Sequence, residues 1–431
     1  MSTPNAVVPA RLHASGFEKS DSNFYSLSPA SDGNLYYTLC SHDLNTHGRV
    51  YRYEPSTDRV TLLGDLGQLT GEAGRKTIPQ GKSHVPFFEC DGKLYFCTQY
   101  GFFQSSGGKE QVAAVPEGYK PYPGGHFLSY DLATGRFEDL GIGVPEQGII
   151  SMQLDPVRKR MYGLTWPSGC FLVYDISERA LRNLGKVCRE GEAGEGENYL
   201  CLCRSLGLWP ETGDIYFTTA DGEIRRYVLA RDLVETVAGV HMKCDTFGAW
   251  DPHKPGHQGY NWRDLLWHEK DRVFYGIHPK SAHLFRLDPA APRLTVLDRL
   301  CAQEVRESGQ YEPYHPYGYL SLRLGLDGQT IHYLTSSYGL TAEDGRSVKA
   351  TVHPVTYHLR TGRYADHGVV RLPDGRYPLM AQTLAVHPNG KLYSCPWIEP
   401  VSPGPDGKAP SQCDLISFET PGGNHVEERL R

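Results

Sequence analysis

Short apolar runs, not long periodic stretches, organise this chain of 431 residues. Seven times an apolar residue is followed by an aromatic one, once by a histidine, in a β-prone run: Leu35-Tyr36, Leu94-Tyr95, Met161-Tyr162, Ile215-Tyr216, Val273-Phe274, Ile331-His332 and Leu392-Tyr393. The pairs recur every 54 to 67 residues. Self-similarity at a regular period marks a repeat architecture. Each unit opens on a short apolar run and then turns. Asp32-Gly33, Asp91-Gly92, Thr212-Gly213, Asp327-Gly328 and Asn389-Gly390 supply residues suited to tight hairpins. A third strand follows, often closing on a tyrosine and an acid, as at Tyr53-Glu54, Tyr130-Asp131 and Tyr174-Asp175. A fourth is expected at 60–63, 136–140 and 180–184. Sustained helical periodicity is missing. Four antiparallel strands in each of seven units predict an all-β fold, a seven-bladed β-propeller filling residues 1–431 as a single domain.

Composition narrows the functional classes. The net charge of −6 and the lack of a basic run argue against nucleic acid as a partner. No apolar stretch approaches the roughly 18 residues of a membrane-spanning helix, so no membrane partner is expected. Residues 1–11 lack the pattern of a secretory leader, which reads as a cytoplasmic protein, or as a secreted or periplasmic one whose leader has been removed. Eleven cysteines, most of them in expected strands, read as reduced, buried small hydrophobes. Ring closure has two candidate outer strands, at 6–13 and at 424–430. A monomer or small homo-oligomer is expected.

In such a ring the residues opening each first strand and those just past each second strand converge on one rim. His84, Arg204, Tyr260 and Arg263 belong to the first group; Gln99, Tyr100, Trp166 and His278 belong to the second. The long loop of the second unit adds Tyr122 and His126, and Tyr319 opens a later strand. Convergent polar groups in a concavity are the default site. Arginine pairs bidentately with a carboxylate, and histidine or tyrosine can move a proton. Proton abstraction beside a carboxylate, as in β-elimination of a uronic-acid glycoside, fits this set. Paired hydrolytic carboxylates do not stand out, since Asp221 and Asp264 are the few acids expected near the rim. Gly-x-Ser-x-Gly and His-Glu-x-x-His are both absent.

The runs Lys82-Ser-His-Val-Pro-Phe-Phe, Asp91-Gly-Lys-Leu-Tyr-Phe and Pro121-Tyr-Pro-Gly-Gly-His-Phe-Leu-Ser-Tyr-Asp-Leu carry a resemblance. Leu164-Thr-Trp-Pro-Ser-Gly, Cys203-Arg-Ser-Leu and Gly259-Tyr-Asn-Trp-Arg extend it. Together they resemble the seven-bladed propeller polysaccharide lyases, ulvan lyases and L-rhamnose-α-1,4-D-glucuronate lyases among them. The resemblance implies a His/Tyr/Arg site acting on a uronate-containing glycan, with His84 moving the proton and Arg204 facing the carboxylate. It also implies a second histidine where this chain has Gln99, a side chain that can serve as neither acid nor base.

The expected assignment is therefore a lyase with catalytic His84, Tyr100, Arg204, Tyr260 and His126. Gln99, Tyr122, Trp166, Arg263, His278 and Tyr319 would contact substrate. No cofactor is required, although a channel of this kind has room for a structural calcium or zinc. The alternatives are a non-catalytic propeller binding a glycan or a protein, and a metal-dependent hydrolase or lactonase.

Overall fold

The computed structural model describes residues 6–106, 109–253, 258–309, 320–338, 350–401 and 412–420. Seven antiparallel sheets follow one another along the chain. The first blade runs Leu27–Pro29, Leu35–Leu39, Arg49–Glu54 and Arg59–Asp65, each strand paired to the next. Glycines 33, 92, 213, 328 and 390 all hold positive φ, between 61° and 83°, so the turn chemistry is used where the sequence places it. In the second blade a long excursion separates Lys93–Cys97 from its partner Gly124–Asp131 and carries a small hairpin, Gln104–Ser106 with Lys109–Gln111.

Innermost strands touch in order from the third blade to the seventh, and that of the seventh meets that of the first. Closure is made by the N-terminal strand. Val7–His13 pairs antiparallel with Leu415–Glu419 and becomes the outer strand of the seventh blade. The competing segment, 424–430, lies outside the described residues. Val369–Arg371 then extends the same sheet, parallel to Val7–Pro9.

Apolar cores lie between the blades. Tyr162, Phe171, Phe217 and Tyr227, for example, pack the third blade onto the fourth. All eleven cysteines are unpaired, and ten of them are buried. No helix among the described residues is long and apolar enough to cross a membrane.

Candidate active site at one mouth of the channel

The segment opening the second blade sets the geometry. Lys82 and Gln99 exchange backbone hydrogen bonds, Lys82 N to Gln99 O at 3.2 Å and Gln99 N to Lys82 O at 2.8 Å. A residue before the first strand thereby lies directly beside one that follows the second. Lys82 and His84, two apart in an extended segment, project to the same side. Both line a small cleft of about 30 Å³, together with Phe24 of the first blade, Gln99, Tyr100, Phe103 and Glu110 of the second, Ile150 and Trp166 of the third, Arg204 opening the fourth and Gln258 ahead of the fifth.

His84 is strongly perturbed by its surroundings. Its ring stacks on Phe24, with centroids 5.2 Å apart and planes inclined by 11°. Burial, then the charges of Arg204, Arg263 and Lys82, hold its pKa well below the ordinary histidine value. The imidazole is therefore neutral, and Nδ1 is buried with no hydrogen-bond partner among the described residues.

Arg204 is also buried, and Glu192 meets it at 2.8 Å. Burial opposes its charge, but Glu192 more than compensates, so the guanidinium stays firmly protonated. Glu192 accepts two further bonds, from the Trp166 indole at 2.7 Å and from the Leu202 amide at 2.9 Å. One carboxylate thus ties the loop containing Gly191–Ala193 to the third and fourth blades, and the guanidinium and indole that line the cleft are both fixed by it.

Lys82 is enclosed by rings. Its ammonium lies 4.2 Å from the centroid of Phe103 and 4.9 Å from that of Phe24. Burial lowers its pKa, with Glu110, Cys40 and Asp21 acting in the opposite direction and Arg204 reinforcing the shift. His42 packs edge-on against the same two phenyl rings and is held by Asp21 at 2.7 Å.

Five of the expected site residues, His84, Gln99, Tyr100, Trp166 and Arg204, come together in this cleft. Arg263 is buried close enough for its charge to act on His84. The Tyr100 hydroxyl donates to the Glu146 carbonyl at 2.5 Å, and burial raises its pKa, so Tyr100 is held as a phenol and an aromatic wall. Gln99 is packed so tightly that a Cβ on Gly148 would collide with its Oε1, and that oxygen also accepts from the Tyr100 amide.

Four expected residues stand elsewhere. Tyr122 is stacked behind Tyr100 at 3.9 Å and donates to Gln80, out of reach of the cleft. His126 turns toward the outer strand of its own blade and binds Asp139 at 2.9 Å. His278 stacks on Phe247 and bonds Ser281. The Tyr260 hydroxyl accepts from the Trp250 amide. Tyr319 lies outside the described residues. Of the acids expected near the rim, Asp221 pairs with Arg189, while Asp264 is buried between the Tyr25 hydroxyl and Arg323.

The sequence reading missed Lys82, Phe103, Glu110 and Glu192. Lys82 had a usable signal, since it shares a strand face with His84. The other three sit on long loops that carry no period. Among the described residues no group of three or more His, Cys, Asp or Glu side chains converges in a way that could hold a metal ion.

No family model and no curated protein matches the chain. Solved structures do match it in shape. A streptogramin B lyase superposes with a TM-score of 0.55 at 10% identity, over 95% of this chain and 97% of that one. The periplasmic gluconolactonase of Pseudomonas aeruginosa gives 0.51 at 14%, over 90% and 96%. The Cps50 (Swd1) β-propeller domain of Myceliophteria thermophila gives 0.50 at 11%, over 92% and 97%. At such identities the likeness speaks for architecture alone, and the architecture is the β-propeller.

Proposed function

We propose that the protein is a carbon–oxygen lyase that cleaves a glycosidic bond beside a uronic acid by β-elimination. One observation carries this reading: a neutral, buried imidazole from the second blade shares a cleft with a guanidinium from the fourth, and three cations act on it. The C5 proton of a uronate is weakly acidic. Cations fixed around the carboxylate stabilise the enolate-like charge that forms when that proton leaves. Arg204 and Arg263 take that role. Tyr100 and Trp166 offer ring surfaces to the sugar, and Gln99 offers an amide.

The charge balance also makes the site responsive to its substrate. Arg204, Arg263 and Lys82 all depress His84. A bound carboxylate opposes all three, so the imidazole gains basicity when the substrate is in place. A fold neighbour named as a lyase is compatible with this chemistry, and one named as a gluconolactonase keeps the hydrolytic alternative in view. A metal-dependent version of that alternative has no ligand cluster among the described residues.

Incubation with a panel of glucuronate- and iduronate-containing oligosaccharides tests the reading. Elimination creates a conjugated double bond and a rise in ultraviolet absorbance; no rise on any member of the panel refutes it. The second reading is a glycan-binding propeller without turnover. The engagement of Arg204 by Glu192 favours it, because a paired guanidinium has less to offer a substrate. Binding measured by calorimetry without product, in wild type and His84→Ala alike, selects that reading.

A further inference from the structure

We propose that Lys82 is the group that removes the uronate C5 proton, with His84 beside it as a neutral hydrogen-bonding partner. The proposal rests on the elimination reading above and assigns its base.

Three geometric facts support it. The Lys82 side chain lines the cleft on the same strand face as His84. Its contacts there are the faces of Phe24 and Phe103, and among the described residues no carboxylate pairs with its ammonium. His84, by contrast, has Nδ1 buried without a partner among the described residues and the charges of Arg204 and Arg263 acting on it, so an imidazolium formed there is penalised twice. A lysine ammonium formed in the same place is stabilised by two phenyl faces. Burial acts in the direction the step requires, holding the Lys82 pKa below the ordinary lysine value.

The charged neighbours come from every side. Glu110 is on the small hairpin, Cys40 and Asp21 are on the first blade, and Arg204 is on the fourth; His42 and His84 both feel the Lys82 charge. In the reaction the neutral amine takes the C5 proton. The C–H electron pair becomes the C4–C5 double bond, and the C4–O pair departs with the leaving oxygen. The ammonium then returns the proton to that oxygen, and the amine is regenerated.

Two measurements test this. The first needs no variant: competitive acetylation of the intact protein with acetic anhydride across a pH series, read by peptide mass spectrometry, with and without free glucuronate as the probe. Lys82 is expected to acquire label at lower pH than the surface lysines and to be protected by glucuronate. Titration alongside the surface lysines overturns the proposal. The second is kinetic. Lys82→Met is expected to lower kcat by about 10³-fold with KM within threefold of wild type, in keeping with the loss of a general base. Lys82→Gln serves as the second variant, and both are checked by circular dichroism. A folded variant that keeps kcat within threefold overturns the assignment while leaving the elimination reading intact. A wild type that turns over no uronate glycan defeats both.

Discussion

Two buried histidines separate the part of this molecule that closes the ring from the part that faces a ligand. His13, on the closing strand, bonds Asp58 at 2.8 Å through one nitrogen and Ser417 at 2.8 Å through the other. Tyr53 and Arg11 also bond Asp58. Burial lowers the pKa of His13, and Asp58 opposes the shift. Burial lowers that of His84 too, but there three cations add to it. The seam satisfies its imidazole with protein groups, whereas the cleft leaves its own under the influence of three cations. A perturbed, cation-flanked imidazole in a cleft is characteristic of ligand chemistry.

The sharpest way to break the comparison is at the seam. Deleting residues 1–13 removes the outer strand of the seventh blade and its pairing with Leu415–Glu419. Loss of cooperative unfolding, or a loss of more than about 3 kcal/mol in urea, is expected, because a propeller opened at one blade exposes an unpaired edge. A truncated chain that melts like the full one would show that closure is not what this strand provides.

The buried pair in the cleft comes next. Arg204→Met leaves Glu192 without its cation, and Glu192→Gln leaves Arg204 without its anion. Each is expected to cost about 3–5 kcal/mol, the scale for breaking one side of a buried pair. The double variant is expected to recover part of that loss, a non-additivity visible in a double-mutant cycle. Arg204→Met should also abolish turnover. Additive losses would mean that the two side chains do not depend on each other.

Acid stability tests the burial of neutral imidazoles. His278 is buried against Phe247 and its pKa falls to about 3. The unfolded chain takes up its proton near pH 6.5, and the folded protein does not until about pH 3. The contribution of His278 to stability is therefore complete above pH 6.5 and is lost as pH falls toward 3. His278→Gln should reduce the slope of stability against pH in that window and leave kcat unchanged, since the ring stands outside the cleft. An unchanged slope would place the proton uptake on other groups.

Exchanging the two histidines addresses the comparison directly. His84→Asn should lower kcat by about 10²-fold, at the lower end of proton-transfer and hydrogen-bonding contributions. Its melting temperature should hardly move, because no partner of Nδ1 is lost. His13→Asn should do the reverse, costing about 1–3 kcal/mol through the stranded Asp58 and Ser417 groups and leaving kcat alone. Matching profiles for the two variants would erase the distinction.

The propeller was legible because its signals are local and repeated. Asp32-Gly33 and its counterparts fix the hairpins, and Leu35-Tyr36 and its counterparts fix the second strands. The convergence of strand openings with post-strand residues was legible too, and the Lys82–Gln99 bridge is its physical form. That rule brings His84 and Arg204 to one cleft. It fails for residues whose partners come from elsewhere. Nothing in the neighbourhood of His126 announces that Asp139, on the next strand, will claim it. Glu192 and Glu110 were invisible for a related reason: each lies on a long loop, where no period dictates direction, so a rim expected to be poor in acids acquires two. Lys82 was passed over because lysine is ordinarily a surface residue, and only the rings of Phe24 and Phe103 change its character.

The smallest expected effect separates a wall from its support. Tyr122 has the composition of a sugar platform and the position of a buttress: its ring is fully buried behind Tyr100, and its hydroxyl donates to Gln80 at 2.6 Å. Tyr122→Phe keeps the ring and removes that hydrogen bond, leaving the Gln80 oxygen short of a donor. A loss of about 1 kcal/mol is expected, with KM for a uronate oligosaccharide within twofold of wild type. Tyr100→Ala, which removes the wall itself, should raise KM severalfold in the same assay. If Tyr122→Phe raised KM as much as Tyr100→Ala, the hydroxyl would have to reach substrate, and the cleft would extend deeper than the stacked pair allows.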